Sequence, residues 1–326
     1  MAPSLDGVFA YVADATTRGP LARVKVQSGA VERRLGGLTL GGIAEVIPGS
    51  LIFANAGQNR IESYDWATGA RAVLAGSPAN ASGFRDGAGT SARFSAPSAL
   101  ARSPDGAAVY VVDQSSRAVV RRVDLASGAV QCWVGDRDTA GAPCRFPNAG
   151  GAVFAGLAVS ADGEALIAAD VNNSRVLSFR SATSAVEALA GGPQAGYADG
   201  AAAAALFSQP AGLSVSPDGQ LLVVSETVQP GAGSPGQFPR LRAVTACPGD
   251  PCPFGQWLGP CNAAFRGRCV NCSLPAQARY MAPSSPYNRD ACPWVCLDVS
   301  CGSRSLPVYA PFQPFQVPFP ARKLQQ

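Results

Sequence analysis

The chain has 326 residues, of which 47% are hydrophobic and 15% are charged, and its net charge is +4. It is long enough to bury a sizeable core, and no apolar run approaches the roughly 18 residues that span a bilayer, so we expect no membrane span. The small net charge argues against a nucleic-acid partner. The absence of histidine excludes Ser-His-Asp triads, Cys-His pairs and His-ligated catalytic zinc.

The N-terminal stretch MAPSLDGVFAYVAD (1–14) lacks the basic start, apolar core and cleavage site of a signal peptide. It aligns instead with the middle of a repeat that recurs later in the chain. We therefore expect the intact protein to have a segment before Met1 that carries a signal sequence and at least one further strand.

Turn dipeptides mark this repeat at Gly7, Gly49, Gly106, Gly163 and Gly219, with spacings of 42, 57, 57 and 56 residues. Each unit has a short strand, the turn, a β-branched run such as AVYVVD (108–113), a polar turn with an arginine, and two further strands. Four short strands joined by tight turns make an antiparallel sheet whose faces neighbouring sheets must cover. The pattern predicts an all-β fold, a β-propeller, over residues 1–246.

Two longer strings carry a family resemblance. GFRDGAGTSARFSAPSAL (83–100) and GYADGAAAAALFSQPAGL (196–213) each lead into S-P-D-G and an apolar strand that ends in an acid. They resemble NHL-repeat propellers, whose repeats form a closed ring, commonly of six blades. This chain shows about five units, of which the first and last are incomplete, so the resemblance implies an incomplete ring. Phe94 and Phe207 are expected to fill gaps between blades.

The composition changes after residue 246. Residues 247–304 contain eight cysteines and are predicted to form a small disulfide-rich module. The spacing of these cysteines resembles Cys-rich modules of extracellular and ciliary-surface proteins of green algae, including mastigoneme-like proteins. Residues 305–326 form a Pro/Phe-rich tail, which favours an extended linker or docking strip.

All ten cysteines are disulfide candidates, because their number is even and eight of them are dense, as in proteins of oxidising compartments. A bridge between Cys132 and Cys144 would close a short insertion. A zinc site in which Cys269-x2-Cys272 pairs with Cys292-x3-Cys296 is the alternative for four of them. The other four candidates are Cys247, Cys252, Cys261 and Cys301.

Three sequons make Asn80, Asn172 and Asn271 glycosylation candidates. Asn80 is the favoured one, because it lies in an insertion between units. Asn172 falls in a tight turn, and Asn271 is flanked by cysteines.

Two sets of polar residues recur with the repeat. One set lies at the ends of the second strands. Its residues either form a ring of ligands for a metal or a cationic substrate or, as we favour, hydrogen-bond the turn that follows. The other set is basic, and either binds an anion or, as we favour, pairs with neighbouring acids. The first set is Asp14, Asn55, Asp113, Asp170 and Glu226, and the second is Arg23, Arg60, Arg117 and Arg175.

These features predict a non-catalytic interaction or structural protein, outside the cell or on a cell or ciliary surface, with no catalytic residue, metal or cofactor. We expect protein or glycan partners in a matrix or on that surface, and the fold is compatible with self-assembly. The insertions 77–93, 136–151 and 192–206 are the expected contact sites. The alternatives are an intracellular NHL scaffold that binds protein or RNA, and a carboxylate-dependent propeller hydrolase. The peptidyl-glycine lyase chemistry of NHL-type propellers requires histidine-bound metal, which this chain cannot supply.

Overall fold

The computed structural model describes residues 2–13, 19–114, 119–135, 144–147, 151–200, 204–219, 221–227 and 240–245. The predicted cysteine-rich module and the tail lie outside these residues. Within the described part, no helix is long and apolar enough to cross a membrane.

The described residues form five antiparallel sheets in chain order. Sheet 1 contains β1 (Ala2–Pro3), β2 (Phe9–Ala13), β3 (Leu21–Lys25) and β4 (Val31–Arg34). Sheet 2 contains β5 (Leu40–Ile47), β6 (Ser50–Asn55), β7 (Arg60–Asp65) and β8 (Arg71–Gly76). Sheet 3 contains β10 (Pro97–Arg102), β11 (Ala108–Asp113), β12 (Val119–Asp124) and β13 (Ala129–Val134), with the short β9 (Gly87–Ala88) added at its outer edge.

Sheet 4 contains β14 (Phe154–Val159), β15 (Ala165–Asp170), β16 (Arg175–Arg180) and β17 (Val186–Gly191). Sheet 5 contains β18 (Pro210–Val215), β19 (Leu221–Glu226) and β20 (Arg240–Thr245). Two short 3-10 helices, Ala56–Gln58 and Gly89–Ser91, lie in the connections. Below, the strands of each sheet are called first to fourth in chain order, with β9 left out.

The predicted Asp-Gly turns join first and second strands. In sheet 3, the Ser103 hydroxyl donates to Asp105 and accepts from the amide of Ala108 at 3.0 Å, and Gly106 has a φ of +71°. Sheet 4 repeats these bonds with Ser160 and Asp162. The Ser-x-Asp-Gly string therefore satisfies the turn's polar groups locally and fixes the strand register.

Consecutive sheets pack face to face around four apolar clusters, one at each interface from sheets 1–2 to sheets 4–5. The second strands β11 and β15 are buried at every residue, because each lies between two neighbouring sheets. Phe94 and Phe207 are buried in the clusters of sheets 2–3 and 4–5, as predicted. This arrangement confirms the predicted all-β propeller fold.

First strands of adjacent sheets approach closely where glycine removes the side chain. A Cβ built on Gly156 of β14 would lie 1.9 Å from the carbonyl oxygen of Ala211 in β18, and one on Gly42 of β5 would lie 2.3 Å from the amide nitrogen of Leu100 in β10. Glycine is therefore required at both positions for the sheets to meet.

Candidate interaction surface

One end of the propeller carries the turns between second and third strands together with the beginnings and ends of the insertions that join successive sheets. The middle of the insertion 77–93 extends along sheet 3 to the other end, where the Gly89 amide donates to the carbonyl of Gly128 at 2.9 Å. The Asn59 amide donates to the carbonyl of Asn80 at 3.1 Å, and the backbone amide of Thr227 donates to the carbonyl of Gln209 at 3.1 Å. We call this first end the loop end. The opposite end, with the Asp-Gly turns and the turns between third and fourth strands, is the turn end.

The recurring acids at the ends of second strands anchor the insertions. Asp113 accepts the backbone amide of Ser95 at 2.7 Å, Asp170 that of Val153 at 3.2 Å, and Glu226 that of Ser208 at 2.8 Å. All three are buried. Asn55 instead accepts the amide of Gln58 and donates to Glu62, and Asp14 lies outside the described residues. These contacts favour the structural interpretation of the acids.

Three of the four recurring arginines pair with acids of their own sheets. Arg23 lies 2.9 Å from Glu32, Arg60 lies 2.6 Å from Glu62, and Arg175 lies 2.9 Å from Asp170. Arg117 lies outside the described residues. The contacts of Arg23, Arg60 and Arg175 are those of structural ion pairs.

Arg121 on β12 is a functional residue that the sequence did not predict, and its side chain is fully buried. Its guanidinium bonds to Asp113 at 3.0 Å and to Asp86 at 2.5 Å, and it also donates to two main-chain carbonyls of the insertion 77–96. It lies 4.8 and 5.1 Å from the ring centres of Phe84 and Phe94. One side chain therefore holds two separate parts of this insertion, at Asp86 and at Arg93, against sheet 3.

Arg242 repeats this arrangement at the same register position in sheet 5. It donates to Asp199 and to the carbonyls of Ala198 and Leu206, at 2.8 and 2.6 Å, and lies 4.7 Å from the Phe207 ring centre. The signal in the sequence is a string that begins with G-[FY]-x-D-G and ends with Phe-Ser. An arginine follows it in the third strand of the next sheet. That signal joins residues that are far apart in the chain, which is why no local pattern showed it.

Sheet 2 has the opposite charge at this position, Glu62, which is buried and held by Arg60 and Arg71. Burial raises the pKa of Glu62, but hydrogen bonds from Arg71, Arg60 and Asn55 outweigh burial and leave the pKa below its usual value. The carboxylate therefore stays ionised and serves as a structural anchor.

Cys132 of β13 and Cys144 form the predicted disulfide, with their Cα atoms 4.7 Å apart. It closes the insertion between sheets 3 and 4. The other eight cysteine candidates, Cys247 to Cys301, lie outside the described residues, so their pairing stays a prediction.

Replacing both Cys132 and Cys144 by alanine is expected to lower the free energy of unfolding by about 3 kcal/mol, because the unfolded chain loses a short covalent loop. Chemical denaturation of the full chain, followed by tryptophan fluorescence, measures this difference. A change within about 0.5 kcal/mol, as for an ordinary surface substitution, would contradict the prediction.

In the described part of the chain, ion pairs of the buried arginines Arg121 and Arg242 thus hold two of the insertions, and no group of three or more Cys, Asp or Glu side chains in the described ranges could hold a metal ion. Such a surface can recognise a partner by shape and hydrogen bonding without ordering its loops on binding. Together, the fold and this surface define a β-propeller with arginine-anchored insertions.

No protein-family model matches the chain. Among curated proteins, the chain is similar to Protein SUPPRESSOR OF QUENCHING 1, chloroplastic, of Arabidopsis thaliana, at 27% identity over 194 residues. The match covers 55% of this chain but 17% of that protein, so the chain spans a small part of its relative.

Among solved structures, a chain in the crystal structure of a nidogen/laminin complex aligns with a TM-score of 0.50 and 15% identity, over 69% of this chain and 70% of that one. TolB from Acinetobacter baumannii aligns with a TM-score of 0.49 and 15% identity, over 73% and 50% of the two chains. The nidogen/laminin likeness concerns the fold alone.

Proposed function

We propose that this protein is a non-catalytic extracellular interaction protein of the NHL-repeat type, which uses the loop end of its propeller as a binding platform. The observation that carries this proposal is the paired anchoring of two insertions by Arg121 and Arg242. Insertions fixed in this way form a rigid surface, and rigid surfaces bind with a small entropic cost.

The charged groups at the recurring positions support a non-catalytic role. Asp113 and Asp170 are buried in ion pairs and accept backbone amides, so their carboxylates are engaged by the fold. Without histidine, no side chain has an ordinary pKa near neutrality for general base work.

The Cys132–Cys144 disulfide supports an extracellular location, because such bonds persist in oxidising compartments. Proteins or glycans of a matrix, or of a cell or ciliary surface, are the proposed partners. The resemblance of the cysteine-rich segment to algal surface modules points in the same direction.

A test compares two variants of the full chain fused to a biotin ligase and applied to living cells. The loop-end variant carries Ala79→Arg and Gln194→Arg, and the turn-end control carries Gln27→Arg and Ala126→Arg, all at exposed positions. We expect the loop-end variant alone to lose the surface proteins that the unmodified chain labels. Equal labelling by both variants, or retention of the protein inside the cell with free thiols, would overturn the proposal.

Asn80 is the predicted glycosylation site with the better geometry. Asn80 and Ser82 of its sequon are exposed, whereas Ser174 in the sequon of Asn172 is buried and the Asn172 amide donates to the carbonyl of Gly151 at 3.5 Å. Asn271 lies outside the described residues.

When the chain is secreted from a eukaryotic host, we expect Asn80→Gln to remove a glycan and the matched Asn172→Gln to leave the mass of the remaining glycan unchanged. Mass spectrometry before and after enzymatic deglycosylation measures both. If Asn80→Gln loses the same mass on deglycosylation as the unmodified sequence, Asn80 carries no glycan.

A further inference from the structure

Sheets 1 to 4 each bury the same residue position against the next sheet. In the third strand this position holds Leu21, Ile61, Val120 and Val176, and each of them is 0% exposed. The register places Leu241 of sheet 5 at the same position, because it pairs with Ser225 as Val120 pairs with Val112. Leu241 is 77% exposed.

Sheet 1 shows the complementary difference on its other face. Val12 of β2 takes the position that Phe53, Val111, Ala168 and Val224 occupy in the later sheets, where each is 0% exposed. Val12 itself is only half-buried, and so is its neighbour Val24. Sheets 1 and 5 therefore each have one covered face and one apolar face that the described residues leave open.

We call these two open faces the seam. Its walls are Leu221, Val223 and Leu241 on sheet 5, and Ala10, Val12 and Val24 on sheet 1. The four apolar clusters of the described part join sheets 1 to 5 in order, and none of them joins sheet 5 to sheet 1. An exposed leucine on one wall and half-buried valines on the other, at positions that the remaining sheets bury, indicate a surface that is built to be covered.

We propose that residues 246–304 of this chain, which contain the predicted cysteine-rich module and lie outside the described residues, cover the seam in place of a further sheet. The segment follows Thr245 directly, and β20 is the strand of sheet 5 that carries Leu241. The segment is about as long as one repeat, and the seam continues the sheet-on-sheet interfaces already described. It also supplies large apolar side chains, among them Phe254, Trp257, Phe265 and Trp294.

Tethering favours this occupant over a second copy of the chain. A segment joined to the edge of the seam is present at a high effective concentration, whereas a second molecule must be recruited from solution. The cysteine-rich segment then acts as a closing element of the propeller and leaves the loop end free, so this inference does not depend on the proposed function.

Hydroxyl-radical footprinting of the full chain tests the proposal, because it reads side-chain exposure. Ile47 is the matched exposed control at 63%, and Ile61 is the buried control. We expect Leu241 to oxidise as slowly as Ile61. A rate like that of Ile47 would overturn the proposal, and so would protection that disappears on dilution together with a dimer mass in light scattering, since a second copy would then cover the seam.

A substitution on one wall of the seam tests whether a single segment covers both walls. If one segment covers both, Leu241→Arg should speed the oxidation of Val12 on the opposite wall, while the control Ile47→Arg should leave Val12 unchanged. Val111, which is buried between sheets 2 and 3, must stay protected in both variants to show that the propeller is folded. An unchanged rate at Val12 in folded Leu241→Arg would refute a shared cover.

Discussion

Arg121→Met is expected to lower the free energy of unfolding by about 3–5 kcal/mol, which is the usual cost of removing one partner from a buried ion pair. The substitution keeps most of the side-chain volume but leaves the buried carboxylate of Asp113 and the partly buried one of Asp86 without their shared cation. It also removes one of the two donors to each of the carbonyls of Arg85 and Arg93, which keep only the backbone amide of the other residue. Thermal or chemical unfolding of the full chain measures the loss.

The neighbouring Arg122 provides a matched control. It lies next in the sequence, but its side chain is 27% exposed and its guanidinium is 4.0 Å from Asp124. Arg122→Met should therefore cost less than about 1 kcal/mol, as for other surface pairs. Adding Asp86→Asn to Arg121→Met should restore part of the lost stability, because it neutralises a partly buried carboxylate that has lost its ion pair with Arg121. Equal costs for the two arginines would show that the buried pair does not anchor the insertion.

The repeat made the sheets predictable. Gly49, Gly106, Gly163 and Gly219 all fall in the turns between first and second strands, and the runs that follow them form second strands with the expected buried faces. These features depend on residues close in sequence, so alternation and turn chemistry suffice to find them. Their recurrence predicted a structural role for Asp113 and Asp170 in the turn that follows, which Asp170 fills by accepting the amide of Asn173. It did not predict the bonds from both acids to the insertions before the first strands.

The contacts of Arg121 and Arg242 were not predictable in the same way. Each joins a third strand to an insertion more than thirty residues earlier, as in the Arg121–Asp86 pair with its separation of 35. Neighbouring arginines in the same strands look identical in the sequence, and only the alternation of strand faces decides which one points into the sheet interface. The exposure of Leu241 was hidden for a related reason, since it depends on whether another sheet lies beside sheet 5.

Phe94→Ala should cost about 3–5 kcal/mol, because the ring is fully buried between sheets 2 and 3 and its removal leaves a cavity among well-packed strands. The same ring lies 5.1 Å from the Arg121 guanidinium. Combining Phe94→Ala with Arg121→Met should therefore cost less than the sum of the two, by about 0.5–3 kcal/mol, because either substitution alone already breaks their contact. Phe94→Ala combined with Phe207→Ala is the control, since Phe207 belongs to a separate cluster between sheets 4 and 5. The losses in unfolding free energy of these two substitutions should add within about 0.5 kcal/mol. Coupling in the first cycle and additivity in the second would identify Arg121 and Phe94 as one anchor that holds their insertion on sheet 3, whereas additivity in both would reduce Phe94 to a core residue.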